Sequence, residues 1–213
     1  MSAWEDGLRF CAELRSATAD FTVRTFQQLV QRYRFNMDKL PVAPEPTDDL
    51  TSLGGYAHEL LTFVRSVGPR TLNSSCFFGP HIMLSELLDD DYFQTVIATN
   101  LKVTRDDVRF IGGDHGEGRW ILLTRSGRIF FMEVDDDYRR VPEPCFTDFI
   151  GWFRVNLILG LLESRLQRQG LDVFAGVPLG FANRLLTEFS AIDALLTAHT
   201  WPYELFYRLE SAP

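Results

Sequence analysis

The groups most able to bind or react are concentrated in three acidic stretches: Asp89-Asp90-Asp91, Asp135-Asp136-Asp137, and the glycine-rich Gly112-Gly113-Asp114-His115-Gly116-Glu117-Gly118. A phosphate cradle needs glycines that expose backbone amides, a following lysine, and a helix whose N-terminus faces the anion. Here Asp114 and Glu117 repel phosphate, no lysine follows, and the next residues read as strand. The segment is therefore expected to be a loop of a sheet. The aspartate runs are dense in hard oxygen ligands, but an oxygen cage alternates its ligands around a sharp glycine turn, whereas consecutive aspartates point in different directions. They read as solvated acidic turns, and as the surface on which a basic protein would dock.

Other chemistries fare no better. His58-Glu59 lacks a second histidine four residues after the first, and His81, His115 and His199 are isolated, so no zinc site is expected. Cys76 and His81 are five residues apart, as a thiol and its base could be, yet Cys76 heads the apolar run Cys76-Phe77-Phe78, where a neutral buried thiol is expected. Paired carboxylates for acid and base work meet only in space, and nothing in the chain points to them. The reading is a chain without catalytic residues, cofactor or metal. Cys11, Cys76 and Cys145 form neither a disulfide framework nor a metal motif, and Asn73-Ser74-Ser75 matches a glycosylation sequon that means little without a secretory leader.

The elements that must position these groups belong to an ordinary globular composition. With 213 residues the chain can bury one sizeable core, and its 18 phenylalanines predict a strongly aromatic one. A net charge of −8 disfavours nucleic acid and anionic membrane as partners. The longest apolar stretch, 149–162, is interrupted by Arg154 and Asn156 and is too short for a membrane span. The start, Met1 to Asp6, is acidic and has no apolar secretory core, which predicts cytoplasmic residence.

Along the chain, Trp4, Leu8, Cys11 and Leu14, then Phe26, Leu29, Val30 and Tyr33, recur at helical spacing. They predict one long helix, or two with a cap among Ser16, Thr18 and Asp20. The prolines at 41, 44 and 46 mark a linker or extended arm. A helix is expected after Gly54-Gly55, ending at Gly68-Pro69, a short helical piece over 81–88, and a strand over 92–99 from its aromatic and β-branched content. Val108 to Ile111 reads as a strand stopped by the glycine loop. Trp120 to Thr124 and Arg128 to Val134 read as a hairpin turning on Arg125-Ser126-Gly127. Their nearly continuous apolar character predicts helices over both faces. Thr147-Asp148 introduces a helix running to near Gly170, 178–199 reads as another, and 201–209 as a short helix or tail. The fold class is α+β: a mainly antiparallel sheet of about four to six strands surrounded by helices.

Phe110-Ile111-Gly112-Gly113-Asp114, Gly118-Arg119-Trp120-Ile121-Leu122-Leu123 and Gly127-Arg128-Ile129-Phe130-Phe131-Met132-Glu133 together resemble the sheet of the SUKH superfamily, which includes yeast glucan-synthesis regulators and many bacterial immunity proteins. The segment 141–150 is similar to the family's lead into a helix, with Cys145-Phe146 where Ser-Phe is commoner. The helix from Tyr56 to Val67 resembles the family's leading helix, although the clear Leu-Pro-x-x-Tyr phrase before it is missing. The resemblance covers 40–165, leaving 1–39 as an N-terminal helical extension and 166–213 as a C-terminal one packed on the same domain. It implies a non-enzymatic protein-binding fold, most simply an immunity protein that neutralises a toxin such as a basic nuclease. A viral or regulatory adaptor that counters host defence is the alternative within the fold, and a hydrolase or transferase with an unseen site the alternative outside it. The partner-binding residues would be Asp89, Asp90, Asp91, Asp114, Glu117, Asp135, Asp136 and Asp137, since acidic loops steer a basic partner.

Overall fold

The computed structural model describes residues 2–37, 55–68, 70–73, 76–78, 93–114, 119–135, 138–139, 142–171 and 177–197. The chain divides into two compact units, one of Met37–Phe149 and one that joins Met1–Asn36 to Ile150–Pro213. The break thus falls at Phe149, where the resemblance placed a boundary at 165, and the two terminal segments share a unit. The expected linker over 36–49, the helical piece over 81–88 and the tail over 201–209 fall almost wholly outside the described residues.

The middle unit is built on an antiparallel sheet, as the alternation of apolar runs and turns predicts. Its strands are β1 (Arg70–Thr71), β2 (Cys76–Phe78), β3 (Val108–Asp114), β4 (Arg119–Thr124), β5 (Ile129–Asp135), β6 (Tyr138–Arg139) and β7 (Glu143–Phe146). They pair in the order β1-β2-β3-β4-β5-β6, and β7 also pairs with β5. This is the mainly antiparallel sheet expected of an α+β fold, and the seven strands among the described residues include two pieces of two residues, β1 and β6, that local sequence does not announce.

The β4–β5 hairpin forms where Gly127 supplies a φ of +85°. The Gly127 amide donates to the Thr124 carbonyl at 2.9 Å, and the Thr124 amide to the Arg128 carbonyl at 3.0 Å. By contrast, Gly112-Gly113 does not end β3. Both glycines stay in the ladder, Gly112 opposite Phe78 and Ile121, Gly113 opposite Phe77 and Trp120. The register slips between Phe110 and Gly112, so Ile111 is an extra, fully buried residue at a bulge.

The pleat sorts this sheet's side chains. One face carries Val108, Phe110, Leu122 and Met132, with Trp120 and Phe130 at its margin, packed against Phe93, Val96 and Ile97. Those three residues belong to a π-helical stretch, Phe93–Ala98, continued by an α turn at Thr99–Leu101. This corrects the strand expected over 92–99. The residues are β-formers by type, but burial of positions 93, 96 and 97 follows the three-and-four spacing of a helix, and tertiary packing overrides propensity. On the other face Phe78 meets Phe149 at 5.9 Å between ring centroids, and Phe149 meets Phe63 at 5.5 Å. Phe63 lies on α3 (Gly55–Val67), which stops at Gly68 with φ +71°. Both faces are helix-covered, and the aromatic rings dominate the core as their number predicts.

The other unit is helical: α1 (Ala3–Ala17), α2 (Val23–Tyr33), α4 (Phe149–Arg168, its first residue in the middle unit) and α5 (Leu179–Ser190). Two N-terminal helices form rather than one. The cap of α2 is Thr22, whose Oγ1 accepts from the Thr25 amide at 3.3 Å, while Thr18 closes α1 by donating to the Leu14 carbonyl at 2.8 Å. Helix α4 is buried over 151–163 except at Arg154. Its Asn156 donates to the Trp152 carbonyl at 2.8 Å, so the polar interruption is satisfied inside the helix. Phe153 stacks with Phe21 and Phe26, and Trp4 with Phe181. Gly7 lets α1 approach α4, since a Cβ there would stand 3.1 Å from Leu166 Cδ2 and 3.3 Å from Leu162 Cδ1. The last helix ends at Ser190, well short of the expected 199. Ser190 Oγ donates to the Leu196 carbonyl, and the Asp193 carboxylate accepts from the Leu195 amide, folding the chain into turns. No helix among the described residues is long and apolar enough to cross a membrane.

Candidate functional site

The acidic residues singled out from the sequence are best followed through the sheet register. Asp114 is the last residue of β3 and stands opposite Cys76 on β2. Asp135 is the last residue of β5 and stands opposite Tyr138 on β6. Gly113 pairs with Trp120 and Trp120 with Met132, so one further step aligns Asp114 with Arg119 and Glu133 across the sheet. With strands about 4.8 Å apart, Asp114 and Glu133 lie roughly 10 Å from one another, and Asp135 continues two residues past Glu133 toward the same end.

The structure therefore brings Asp114 and Asp135, 21 positions apart in sequence, to one end of the sheet. Glu117, Asp136, Asp137 and the run Asp89, Asp90 and Asp91 lie outside the described residues. Sequence reading missed Glu133, Arg119 and Arg139, which the register sets at the same end. Two basic positions, Arg119 and Arg139, thus share this end with the acidic ones. Only strand pairing could have found them, because none belongs to an acidic run.

No family model, curated protein or solved structure matches the chain.

The opposite end of the sheet is electrostatically closed on itself. Asp107 caps a short turn, its Oδ2 accepting from the Thr104 amide at 3.1 Å and hydroxyl at 2.8 Å. Those bonds, with Arg125 3.0 Å from Oδ1, hold its carboxyl below the usual aspartate range. Thiol chemistry has no support from the buried cysteines. Burial pushes the Cys11 thiol up to about 12, with the Glu188 carboxylate adding to the effect, so the nucleophilic thiolate is scarce at neutral pH. Cys145 is buried with its Sγ 3.6 Å from the Ile129 carbonyl. The Cys76–His81 pairing lies outside what the described side chains report. His58 and Glu59 are exposed on α3, and among the described residues no group of three His, Cys, Asp or Glu converges as a metal site would require.

What strand pairing brings to this end of the sheet is three acidic positions distant in sequence, Asp114, Glu133 and Asp135.

Proposed function

We propose that this chain is a non-enzymatic protein-binding domain of the SUKH type, acting in the cytoplasm as an immunity protein that neutralises a toxin by direct binding. The basic face of the toxin seats on the end of the sheet that carries Asp114, Glu133 and Asp135. The observation that carries this reading is the register that gathers Asp114, Glu133 and Asp135 at one end. The order of elements also supports it: a leading helix α3, the β3–β4–β5 meander, and a helix entered after Phe146 follow the order the resemblance implies. A net charge of −8 would speed and orient encounter with a basic protein such as a nuclease.

The test is affinity capture with the full chain at low and moderate salt, followed by mass spectrometry. The expected result is one stoichiometric basic partner, weakened by salt and lost when Asp135, Asp136 and Asp137 are changed together to Asn. Recovery of no partner, together with turnover in a broad substrate screen, would overturn the proposal in favour of a hydrolase or transferase.

A further inference from the structure

Residues 21–37 include Arg24, Arg32 and Arg34 and no aspartate or glutamate. On α2 the exposed residues are Arg24, Gln27, Gln28, Gln31 and Arg32, while Phe26 and Leu29 are buried. Positions 24, 27, 28 and 31 share one face of a helix, opposite Phe26. The Phe26 ring meets Phe153 of α4 edge-on at 5.6 Å between centroids, so the arginine–glutamine face points away from the core of its unit. Among the described residues none of these three arginines forms an ion pair, and exposed Asp20, one turn before Arg24, does not engage it. Other arginines of the unit behave differently: Arg9 and Arg165 hold Asp6, Arg15 holds Glu188, and Arg184 holds Glu5. Exposed Arg168 brings a further cation to the end of α2, donating to the Tyr33 carbonyl at 3.3 Å.

The negative charge of the chain belongs to the other unit. Met1–Asn36 and Ile150–Pro213 together hold ten Lys or Arg and ten Asp or Glu, whereas Met37–Phe149 holds eleven and nineteen and so carries the whole net charge of −8. A polyanion that approaches α2 therefore meets a unit of no net charge. Helix electrostatics accounts for only part of the arginine set. Arg32, in the last turn, and Arg34, in the left-handed cap at φ 50°, favour the negative end of the helix. Arg24 is the second residue of α2, where the positive end disfavours a cation, and α1 shows the usual arrangement, with Glu5 and Asp6 in its first turn. An anionic ligand would supply the stabilisation that its own helix denies Arg24.

We propose that α2 binds duplex DNA, with its arginine–glutamine face set in the major groove. Helices α1 and α2 are joined by residues 18–22, and Phe10 meets Tyr33 edge-on at 5.0 Å between centroids, so the two helices pack on one another. Two helices joined by a short turn, the second with its polar face outward, are the means by which helix–turn–helix proteins offer a helix to the groove. Gln27, Gln28 and Gln31 lie between cations, with Arg24 before them and Arg32 and Arg34 after. Arg24 and Arg32 are eight residues apart, about 12 Å along the helix axis, close to the roughly 12 Å width of the major groove. The arginines then meet the phosphate walls, which position the helix, while the glutamines face the base edges, where each can pair with adenine N6 and N7. An acidic protein would use only the amide donors of the three glutamines and leave their carbonyls idle, which makes it the poorer occupant. This surface lies in the helical unit, whereas the residues of the toxin contact proposed above lie in the other.

The experiment is a fluorescence-anisotropy titration of the full chain into a labelled DNA duplex of mixed sequence, about 20 base pairs or two helical turns long. Binding should saturate at low salt and weaken as salt rises. Three or four neutralised phosphates correspond to a roughly 40- to 150-fold loss of affinity between about 50 and about 200 mM salt. R24Q/R32Q/R34Q, its fold checked by circular dichroism, should lose roughly tenfold or more in affinity and flatten that salt dependence. Selection from a randomised duplex pool should return a preferred sequence for the unmodified chain, and Q27A/Q28A/Q31A should lose the preference while still binding the mixed duplex. No change of anisotropy up to about 0.1 mM chain, the weak end of non-specific binding, would overturn the proposal. So would binding that survives R24Q/R32Q/R34Q, or selection that yields no preference or one unchanged by Q27A/Q28A/Q31A. Binding of labelled polyglutamate that needs the same arginines, in the absence of duplex binding, would overturn it in favour of an acidic protein. Retention of a captured basic partner by R24Q/R32Q/R34Q keeps these outcomes separate from failure of the immunity reading.

Discussion

The guanidinium of Arg165 closes on the carboxylate of Asp6, with Nη2 2.8 Å and Nε 2.9 Å from Oδ2. Gln169 Nε2 reaches the same oxygen at 2.9 Å, and Arg9 Nη2 takes Oδ1 at 2.7 Å. One carboxylate in the first turn of α1 thereby ties down the last turns of α4. The Arg165 guanidinium also lies 4.5 Å above the Phe10 ring, so the ionic contact and the apolar packing of the two helices share one side chain.

This arrangement gives a pH dependence of known sign. The hydrogen bond from Gln169, and next those from Arg165 and Arg9, lower the Asp6 pKa from 3.8 to about 2. A carboxyl that is a stronger acid when folded contributes stability fully present above its unfolded pKa and lost as pH falls through its folded one. Thermal melts of the unmodified chain and of Asp6→Asn should differ by a constant amount near neutrality. That difference should narrow between about pH 4 and pH 2, where the carboxylate takes up its proton. A gap that does not change with pH would show that Asp6 is uncoupled from folding.

Phe149 is fully buried and touches both Phe63 and Phe78. Removing its ring should leave a cavity that rigid strands cannot fill. Phe149→Ala is expected to cost roughly 3–5 kcal/mol of stability, and Phe149→Leu less, as read from urea midpoints.

Gly127 turns the β4–β5 hairpin with φ +85°, a conformation that a Cβ strains by about 1–2 kcal/mol. Gly127→Ala should lower the urea midpoint accordingly. Gly127→Asn should lose less, because asparagine tolerates the left-handed region. Equal losses would mean that space at this position, rather than backbone conformation, sets the cost.

Cys11 combines full burial with a thiol pKa near 12, and Cys145 is also buried. In the native protein both should resist iodoacetamide at mildly alkaline pH and label at once in denaturant, as mapped by peptide mass spectrometry. Rapid native labelling of Cys11 would mean that α1 opens locally.

Local rules made some of this fold readable. The hairpin over Arg125-Ser126-Gly127 follows from one glycine between two apolar runs, and α3 ends where Gly68 says it should. Readings that depended on partners failed. Residues 93, 96 and 97 look like strand by type, and only their packing on Phe110 and Leu122 selects a helix. Gly112-Gly113 looks like a loop, yet β2 and β4 on either side hold it in the ladder. Helix α5 stops at Ser190, and in the turns that follow the Asp193 carboxylate takes the Leu195 amide, a local competition that apolar spacing does not register. The acidic positions were legible residue by residue but not as a place. Asp114 and Asp135 come to one end of the sheet only because two reversals separate them, and Arg119 and Arg139 arrive with them through pairing alone.

The helical unit is discontinuous in sequence, with Met37–Phe149 set between its two parts. On a ribosome adding roughly 5–20 residues per second, α1 and α2 are complete several seconds before the first turns of α4 are made. Through that interval Phe10, Leu14, Phe26 and Leu29 have only each other for company, because Phe153, Leu162 and Leu166 do not yet exist. The sheet unit, contiguous along the chain, is the part able to form on its way out. Helices α1 and α2, made early, are therefore among the last segments to become native.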